Sequence, residues 1–496
     1  MTTEIKQLDR SVGILLAALC GVTIGIVTFV LMYPVRLTGY DFEAFWCGAR
    51  TLLMHANPYL NEPLQTCEAT TLPAFFVHYP QVTIPVPLPA YAIALFVPFA
   101  LLPFTVSRAL WWLLQLVCTF GIARGITSLS GMPPITALAA SALAVLAPSV
   151  LQGALAPIPI ALTVGAALAL QRRSWTVSAI LLGFAMIEPH MALPACAAVW
   201  LFVPQMRLRL TIAGACAASV MLAAVGPHVA LSYLTTVLPL HAASEVNNAG
   251  QESLTALLYQ LGVPLKLSLQ LGFLQYALLG VAGIVLARAL YKKYADLSWL
   301  ILLPAAFAVI GGGFIHLDEV AMALPLACLI AMRRPGLASF LVLFMLALPV
   351  ESIVDWIPWA IPAVMVCLWF ISRPGCTLKR FLANGILPIS IAGSLVVGIL
   401  LLHQVVASNA QQATMHTVFF AQPGNNASAS VTWAAYNALA RRTILWWPEK
   451  VWTLLPLLAL IALCVREAFE KKGDPISRHD SHWTLSPTPA GANSVL

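Results

Sequence analysis

Long apolar runs separated by short polar segments are the feature that most limits what this chain can fold into. The first run, residues 11–33, is uninterrupted, and a helix that crosses a bilayer needs about 20 apolar residues. Similar runs recur through the 496-residue chain, in which 60% of the residues are hydrophobic and only 9% are charged. A water-soluble globule is therefore excluded. The sequence predicts an all-α polytopic membrane protein, a bundle of about 12–14 transmembrane helices.

Basic residues cluster between the apolar runs and predict which side of the membrane each segment faces. By the positive-inside rule these clusters mark cytoplasmic segments, which places 18 of the 26 Lys and Arg residues inside and six outside. Both termini are then cytoplasmic. The rule takes no account of acids or histidines, yet 12 of the 19 acids and eight of the ten histidines fall on the outer side. We therefore expect the polar chemistry at the outer face.

One stretch of the chain does not fit this alternation. Tyr79 is expected outside and Arg172 inside, so an odd number of crossings must separate them. Four apolar runs lie between these residues: 82–103, 105–124, 134–149 and 155–170. We expect one run to be re-entrant, and the proline-marked region 147–159 is our candidate.

The domain organisation follows from the same pattern. We predict one transmembrane domain over residues 1–465 and a disordered cytoplasmic tail over 466–496, because the tail has little apolar content. Three outer segments are long enough to form amphipathic loop helices that cover the bundle: 34–81, 226–266 and 403–450.

The segment from Gly39 to Leu60 follows the first apolar run and is amphipathic. At helical spacing its aromatic rings share one side, whereas Glu43, Cys47 and Arg50 share another. This pattern predicts a helix that lies in the membrane interface with its charges in water. Cys47 and Cys67 both fall in this outer loop, where they either form a disulfide or remain two free thiols.

Asp41 lies near the start of this helix and has two possible roles. It can cap the helix that follows, or it can act as a catalytic acid or base. Other ionisable residues on the same side favour a catalytic role, because such groups at the ends of membrane spans are costly unless they are paired or used.

Further candidate residues lie at turns on the outer side. Glu188 and His190 belong to a Glu-Pro-His turn, where they are either functional or simply solvated. His316 follows three glycines, which let backbone approach a ligand closely, and Asp318 can orient its imidazole. Gln251 lies in a polar segment of the second outer loop.

Two aromatic and basic segments are more ambiguous. His78 and Tyr79 precede an apolar run, where they contact a ligand or anchor the chain in the aromatic belt. Arg441 and Arg442, followed by two tryptophans, resemble an interfacial anchor more than a clamp for a lipid phosphate.

Several familiar motifs are missing from the sequence. It has no HExxH, glycine-rich phosphate loop or GxSxG elbow, which argues against a protease, an ATPase and a serine hydrolase. None of the histidines has the close spacing of a zinc site, so no metal or other cofactor is expected.

Several of these segments, in order, resemble glycosyltransferase family 87, the membrane mannosyltransferases of the GT-C class. The resemblance covers about residues 10–335 and rests on five segments: DFEAFWCGARTLL (41–53), HYP (78–80), EPHMALP (188–194), QESLTALLYQLG (251–262) and HLDEVAMALPL (316–326). It implies a GT-C-like bundle and the transfer of a hexose, mannose, from a polyprenyl-phosphate donor to a glycolipid or lipid-linked acceptor.

The resemblance also implies roles for individual residues. Asp41 would be the general base of an inverting transfer. The remaining candidates would serve the donor and its phosphate (His316, His190, Arg50, Tyr79, Glu188 and Asp318) or the acceptor and the loops (Glu43, His78 and Gln251). The expected partners are the lipid-linked donor, the acceptor and membrane lipids, with no nucleic acid.

The resemblance and the topology together predict a protein of the bacterial inner membrane with its active site on the periplasmic side. A transporter or flippase of a lipid-linked sugar is the main alternative. A carrier would place polar groups along a path near the bilayer midplane, whereas these collect at one interface.

Overall fold

The structure is a computed structural model that describes residues 39–71, 82–248, 250–348, 427–439 and 446–470. Several predicted features lie outside these described residues: the first span at 11–33, His78, Tyr79, Arg441, Arg442 and the tail beyond 470.

The described residues form helices joined by turns, with no β-strand among them. In chain order the helices are α1 (Tyr40–Leu53), α2 (Asn61–Thr71), α3 (Ala90–Ala94), α4 (Val97–Ala100), α5 (Phe104–Ser130), α6 (Pro134–Ser141), α7 (Ala147–Gln152), α8 (Pro157–Gln171), α9 (Trp175–Ala185), α10 (Pro189–Phe202), α11 (Pro204–Ser232), α12 (Leu238–Ser244), α13 (Leu254–Gln260), α14 (Leu265–Tyr294), α15 (Trp299–Gly311), α16 (Leu324–Arg333), α17 (Leu337–Ala347), α18 (Ala429–Leu439) and α19 (Trp446–Phe469). Turns of π-helix join α6 to α7 and α11 to α12, and 3₁₀ turns cover Glu245–Asn247 and Glu319–Ala323.

Four of the described helices are long and apolar enough to cross a membrane: α5, α11 with its continuation to Asn247, α14, and the part of α19 from Lys450 to Phe469. Shorter apolar helices lie between them, including α8, α9, α10, α15 and α17. Several helices begin with proline at the first or second position, where the missing N–H would have had no helical partner. The prediction of an all-α polytopic membrane protein is confirmed.

The four apolar runs between Tyr79 and Arg172 are organised differently from the prediction. The run 82–103 contains only an irregular segment and the short helices α3 and α4, so it does not supply a helix of spanning length. Region 147–159 contains the end of α7, followed by Gly153 at a φ of 73°, and the start of α8 at Pro157. Of the helices in this stretch, α5 is long enough to cross a membrane and α8 is shorter, so the re-entrant run stays a prediction.

Helix α15 is at the centre of the bundle. All of its residues are buried, as expected for a helix that is apolar on every side. Gly283 of α14 allows the two helices to approach closely, because a Cβ there would lie 3.0 Å from Phe307 and 3.1 Å from Pro304. Helix α15 therefore supports the loop that follows it, which begins at Gly312.

The basic ends of several helices are joined by ion pairs. Asp296 accepts hydrogen bonds from Arg333 and Gln171, both at 2.8 Å. Glu467 of α19 pairs with Lys293 of α14 and Arg334, which follows α16. Helix α19 runs to Phe469, past the domain boundary predicted at residue 465. Glu467, which lies beyond that boundary, is paired with residues of the bundle.

The prediction that α1 lies at the membrane interface is wrong. Glu43 and Cys47, expected to face water, are both 0% exposed, and of that polar group only Arg50 is exposed. Helix α2 covers this side and is joined to α1 by a disulfide between Cys47 and Cys67, which decides between the two states of these cysteines. Amphipathic spacing could not distinguish lipid from protein as the surface that covers a helix.

Parts of the three predicted outer segments pack against one another. The Asn61 N–H donates to the Ala427 carbonyl at 2.8 Å, and the Asn437 side chain donates to the Ser244 carbonyl at 3.1 Å. Trp433 of α18 contacts Glu245 in the same region. These contacts enclose a cavity at the end of the bundle away from the basic ion pairs.

Candidate active site

The described part of the chain encloses a cavity of about 670 Å³. Its walls come from the start of α1, the turn between α9 and α10, the segment after α11, the loop after α15, and α18. The volume is in the range of small-molecule sites. Five carboxyl-bearing residues and three histidines line it: Asp41, Glu188, Glu245, Asp318, Glu319, His190, His241 and His316.

Asp41 lies in the first turn of α1, directly at the cavity. The helix has Gly39 as its N-cap, at φ 89°, and no side-chain hydrogen bond caps it. The capping role weighed for Asp41 is therefore wrong. Burial, followed by the charge of Asp318, raises the pKa of Asp41 to about 8.

The start of α1 is positioned by the turn between α7 and α8. A Cβ at Gly153 would lie 3.0 Å from the Gly39 Cα and 3.2 Å from the Phe42 N. Trp111 of α5 donates to the Gly153 carbonyl at 2.9 Å, and Gln115 donates to the Ala154 carbonyl at 2.8 Å. Because Gly153 has no side chain, the start of α1 can pack closely against this turn. This packing places Asp41 at the cavity wall.

The loop after α15 presents His316 and Asp318. The His316 N–H donates to Glu319 Oε2 at 2.9 Å, and the Glu319 N–H donates to the His316 carbonyl at 3.1 Å, so the loop is tied to itself. Burial and then the charge of Glu319 raise the pKa of Asp318 to about 6. The loop thus holds an imidazole and two carboxyl groups at the cavity.

Gln251 braces this loop from the neighbouring segment. It pairs with His316 in an isolated antiparallel bridge, and its Oε1 accepts from the Ile315 N–H at 3.0 Å. Its Nε2 lies 3.2 Å from His316 Nε2. Gln251 is thus a positioning residue for His316 and does not line the cavity.

His190 and Glu319 form a pair across the cavity wall. His190 Nε2 lies 3.1 Å from Glu319 Oε1. Burial alone would raise the pKa of Glu319, but His190 and His316 lower it below its ordinary value. Glu188, at the N-cap of α10, lies near both groups, and burial raises its pKa well above the ordinary range. Neighbouring carboxyl groups thus favour different protonation states.

His241 and Glu245 form a second group, four residues apart at the end of α12. His241 Nε2 lies 3.9 Å from Glu245 Oε1, and Glu245 Oε2 lies 3.9 Å from His316 Nε2. Sequence reasoning did not single out these two residues as a site. The His-x-x-x-Glu spacing, which puts both side chains on one helical face, was the available signal.

Some of the predicted site residues do not reach the cavity. Arg50 lies nine residues along α1 from Asp41, about 13 Å at 1.5 Å per residue, and its guanidinium stacks over Trp46 at 4.9 Å. Glu43 points toward α2, where Thr71 donates to it. Neither residue lines the cavity, so the proposed phosphate role of Arg50 and acceptor role of Glu43 have no support in this geometry.

Two groups of side chains have ligand atoms close enough to hold a metal ion. They are His241 with Glu245 and His316, and Glu188 with His190 and Glu319; within each group the atoms lie within 4.8 Å of one another. The fold therefore brings histidines and acids close together, although the spacing of the histidines in the sequence does not indicate a metal site.

The helices and this cavity define a polytopic membrane protein with an enclosed, ionisable site at one end of its bundle. Residues 89–312 match the model of glycosyltransferase family 87. This match supports membership of that family and indicates a glycosyltransferase. The matched region includes Glu188, His190, His241 and Glu245, whereas Asp41 and His316 lie outside it. No curated protein and no solved structure matches the chain.

Proposed function

We propose that the protein transfers a hexose, mannose, from a polyprenyl-phosphate donor to a glycolipid or lipid-linked acceptor at the periplasmic face of a bacterial inner membrane. The observation that carries this proposal is the position of Asp41, which has no capping role and lines a cavity large enough for a sugar.

In this proposal Asp41 is the general base of an inverting transfer. Its carboxylate accepts the proton of the acceptor hydroxyl as that oxygen bonds to the anomeric carbon. The bond from this carbon to the donor phosphate breaks, and polyprenyl phosphate leaves as an anion. No general acid is needed, because the leaving group is stable in its ionised form.

The phosphate side of the reaction is assigned to His316 and His190. Both line the cavity, and both can donate to a phosphate oxygen when protonated. Burial disfavours protonation of His316, but the surrounding carboxylates, Glu245 first, raise its pKa above the ordinary value. Glu188 and Asp318 remain candidates for contacts with the donor sugar. Tyr79 and His78 keep their predicted roles for the donor and the acceptor.

An apolar opening supports a donor with a lipid tail. Leu193 of α10, Leu234 after α11, and Phe273 of α14 line the cavity and yet are 47%, 60% and 41% exposed. A polyprenyl chain in this opening would contact both the cavity and the hydrocarbon of the bilayer. A water-soluble nucleotide sugar would gain nothing from these side chains.

The location of the cavity supports the periplasmic side. Helix α8 starts beside the cavity and ends before Arg172 and Arg173, and α10 starts at Pro189, beside His190, and runs toward Arg207. The cavity thus lies at the helix ends away from the basic clusters, which the positive-inside rule assigns to the cytoplasm.

The test compares sugar transfer by the Asp41→Asn variant with transfer by the wild-type protein. Purified protein is incubated with polyprenyl-phosphate mannose and a membrane lipid extract, and the products are analysed by mass spectrometry. We expect transfer to fall by a factor of about 10² or more. Glu62→Gln is the control, because Glu62 is an exposed acid of the same loop and should keep wild-type transfer.

Near-normal transfer by Asp41→Asn would contradict the role of Asp41. Movement of an intact lipid-linked sugar across vesicles, without a new glycosidic product, would instead support the flippase alternative. The collection of polar groups at one end of the bundle does not favour that alternative, since a carrier needs a path.

A further inference from the structure

The cavity carries many acids and few cations. Five carboxyl groups line it, but no Lys or Arg does so among the described residues. An anionic ligand such as a phosphodiester would be repelled by those carboxyl groups that are ionised. Three histidines cannot balance five acids, so the cavity requires bound protons or a bound cation.

One group of side chains has the composition of a transition-metal site. His241, Glu245 and His316 supply two imidazoles and one carboxylate, a set that catalytic zinc sites use. Glu245 lies 3.9 Å from each imidazole, and all the ligand atoms of the group lie within 4.8 Å of one another. Ligand atoms around a tetrahedral zinc lie roughly 3.3 Å apart, given bonds of about 2.0–2.2 Å, so small side-chain shifts would close the site.

Glu245 is held in place by neighbours that are not ligands. Trp433 of α18 donates to its Oε1, and Asn248 donates to its Oε2 at 2.7 Å. Such outer contacts orient the ligands of metal sites. The Phe314 ring packs edge-on against His241 with centroids 5.0 Å apart, which fixes the plane of that imidazole.

His241 gives independent evidence for a ligand. Its side chain is nearly fully buried, with 3% exposure, and lines the cavity. Neither ring nitrogen has a hydrogen-bond partner among the described residues, although buried polar groups usually have one. A metal ion bonded to a ring nitrogen would satisfy this group.

The second group, Glu188 with His190 and Glu319, is less suited to this role. His190 already bonds to Glu319 at 3.1 Å, and its side chain is 25% exposed. The His190 imidazole and the Glu319 carboxylate are therefore already paired with each other without an ion.

We propose that His241, Glu245 and His316 bind one divalent transition-metal ion, of the zinc type, at the wall of the cavity. With three protein ligands, the ion keeps at least one coordination position open toward the cavity. Gln251 gives up its contact with His316 Nε2 when that nitrogen binds the ion. This proposal departs from the sequence-based expectation that no metal is bound.

An open coordination position suits a phosphate oxygen of the donor. With the ion bound, His316 is a neutral ligand, and the ion takes over its proposed role at the phosphate. The ion would offset the carboxyl groups and stabilise negative charge on the departing phosphate. This use of the ion rests on the proposed function, whereas the ion site itself does not.

The test is Zn²⁺ binding, measured by isothermal titration calorimetry on the full-length protein in detergent. The protein carries no histidine tag and is stripped with a chelator and desalted. We expect one saturable site that is lost or weakened by at least about tenfold in His241→Ala and Glu245→Gln. Mg²⁺ should bind far more weakly, because it prefers oxygen ligands.

His228→Ala is the matched control, since His228 is an exposed histidine on α11 and should not alter Zn²⁺ binding. Absence of a saturable site in the wild type, or unchanged affinity in His241→Ala, overturns the proposal. Because neither donor nor acceptor is present, a failure here is distinguishable from a failure of sugar transfer.

A second measurement covers the case in which His241→Ala does not fold. His241→Cys replaces the imidazole with a thiol that can also bind the ion. With Co²⁺ as the probe, this variant should gain a thiolate-to-cobalt absorption band that the wild type lacks. A folded His241→Cys protein that binds Co²⁺ without this band places the ion elsewhere and overturns the proposal.

Discussion

The ionisation of Asp41 determines when this residue can accept a proton. Burial and the nearby Asp318 raise its pKa to about 8, so the protonated form predominates at neutral pH. A general base must be ionised before it can act. Ionisation of Asp41 is therefore expected to limit the rate of transfer at acidic pH.

We expect the rate of sugar transfer to rise with pH toward about pH 8, because the Asp41 carboxyl loses its proton over this range. The measurement is kcat/KM for transfer across that range. Glu62→Gln should follow the wild-type profile. A rate that is independent of pH below 8 would contradict the assignment of Asp41 as the base.

Sequence reasoning found part of the candidate site. Asp41, His190 and His316 were identifiable because each lies at the end of an apolar run, where an ionisable group is costly. His241 and Glu245 lie inside a helical continuation of α11, and the contact that brings them to His316 joins distant segments. Such long-range proximity cannot be read from local spacing.

At the scale of helices, α19 is joined to the site by a buried ion pair. Lys450 Nζ lies 2.6 Å from Glu252 Oε1, and both residues are almost fully buried. Glu252 also donates its backbone N–H to the Ile315 carbonyl at 2.7 Å. The pair therefore connects α19 to the loop that presents His316.

Lys450→Met should lower the free energy of unfolding by about 3–5 kcal/mol, because it leaves the Glu252 carboxylate buried without that partner. The double variant Lys450→Met with Glu252→Leu should recover much of this loss. Both are measured by thermal unfolding in detergent. Lys266→Met, at an exposed lysine, should be neutral, and an equally neutral Lys450→Met would show that the pair does not stabilise the fold.

The error at α1 shows what helical periodicity can and cannot establish. The spacing of Phe42, Phe45 and Trp46 correctly indicated a helix. The polar side was assigned to water, but α2 covers Glu43 and Cys47 there. Periodicity gives the faces of a helix, whereas the partner of each face depends on segments elsewhere in the chain.

At the scale of the whole molecule, the site and the basic clusters lie at opposite ends of the helices. The run of apolar segments was sufficient to predict the helical bundle and its class. The number of passes was not, because run 82–103 is as apolar as a span and yet forms only short helices. This run does not form one long helix because of the way it packs in the outer region, and hydropathy carries no information about packing.

Reporter fusions test the orientation of this bundle. A reporter fused after Arg173 should read cytoplasmic, and one fused after Gly262, in the turn between α13 and α14, should read periplasmic. The reverse pattern at both positions would invert the proposed membrane orientation.

The contribution of α18 to the cavity has a consequence for biosynthesis. The Thr83 N–H donates to Thr432 Oγ1 across a separation of 349 residues, and Trp433 completes a wall whose other side begins at Tyr40. A ribosome must therefore translate the chain through α18 before that wall can be added. A nascent chain that has already inserted its helices up to α17 would still lack a complete site, so the enzyme would begin to work only after α18 has been made.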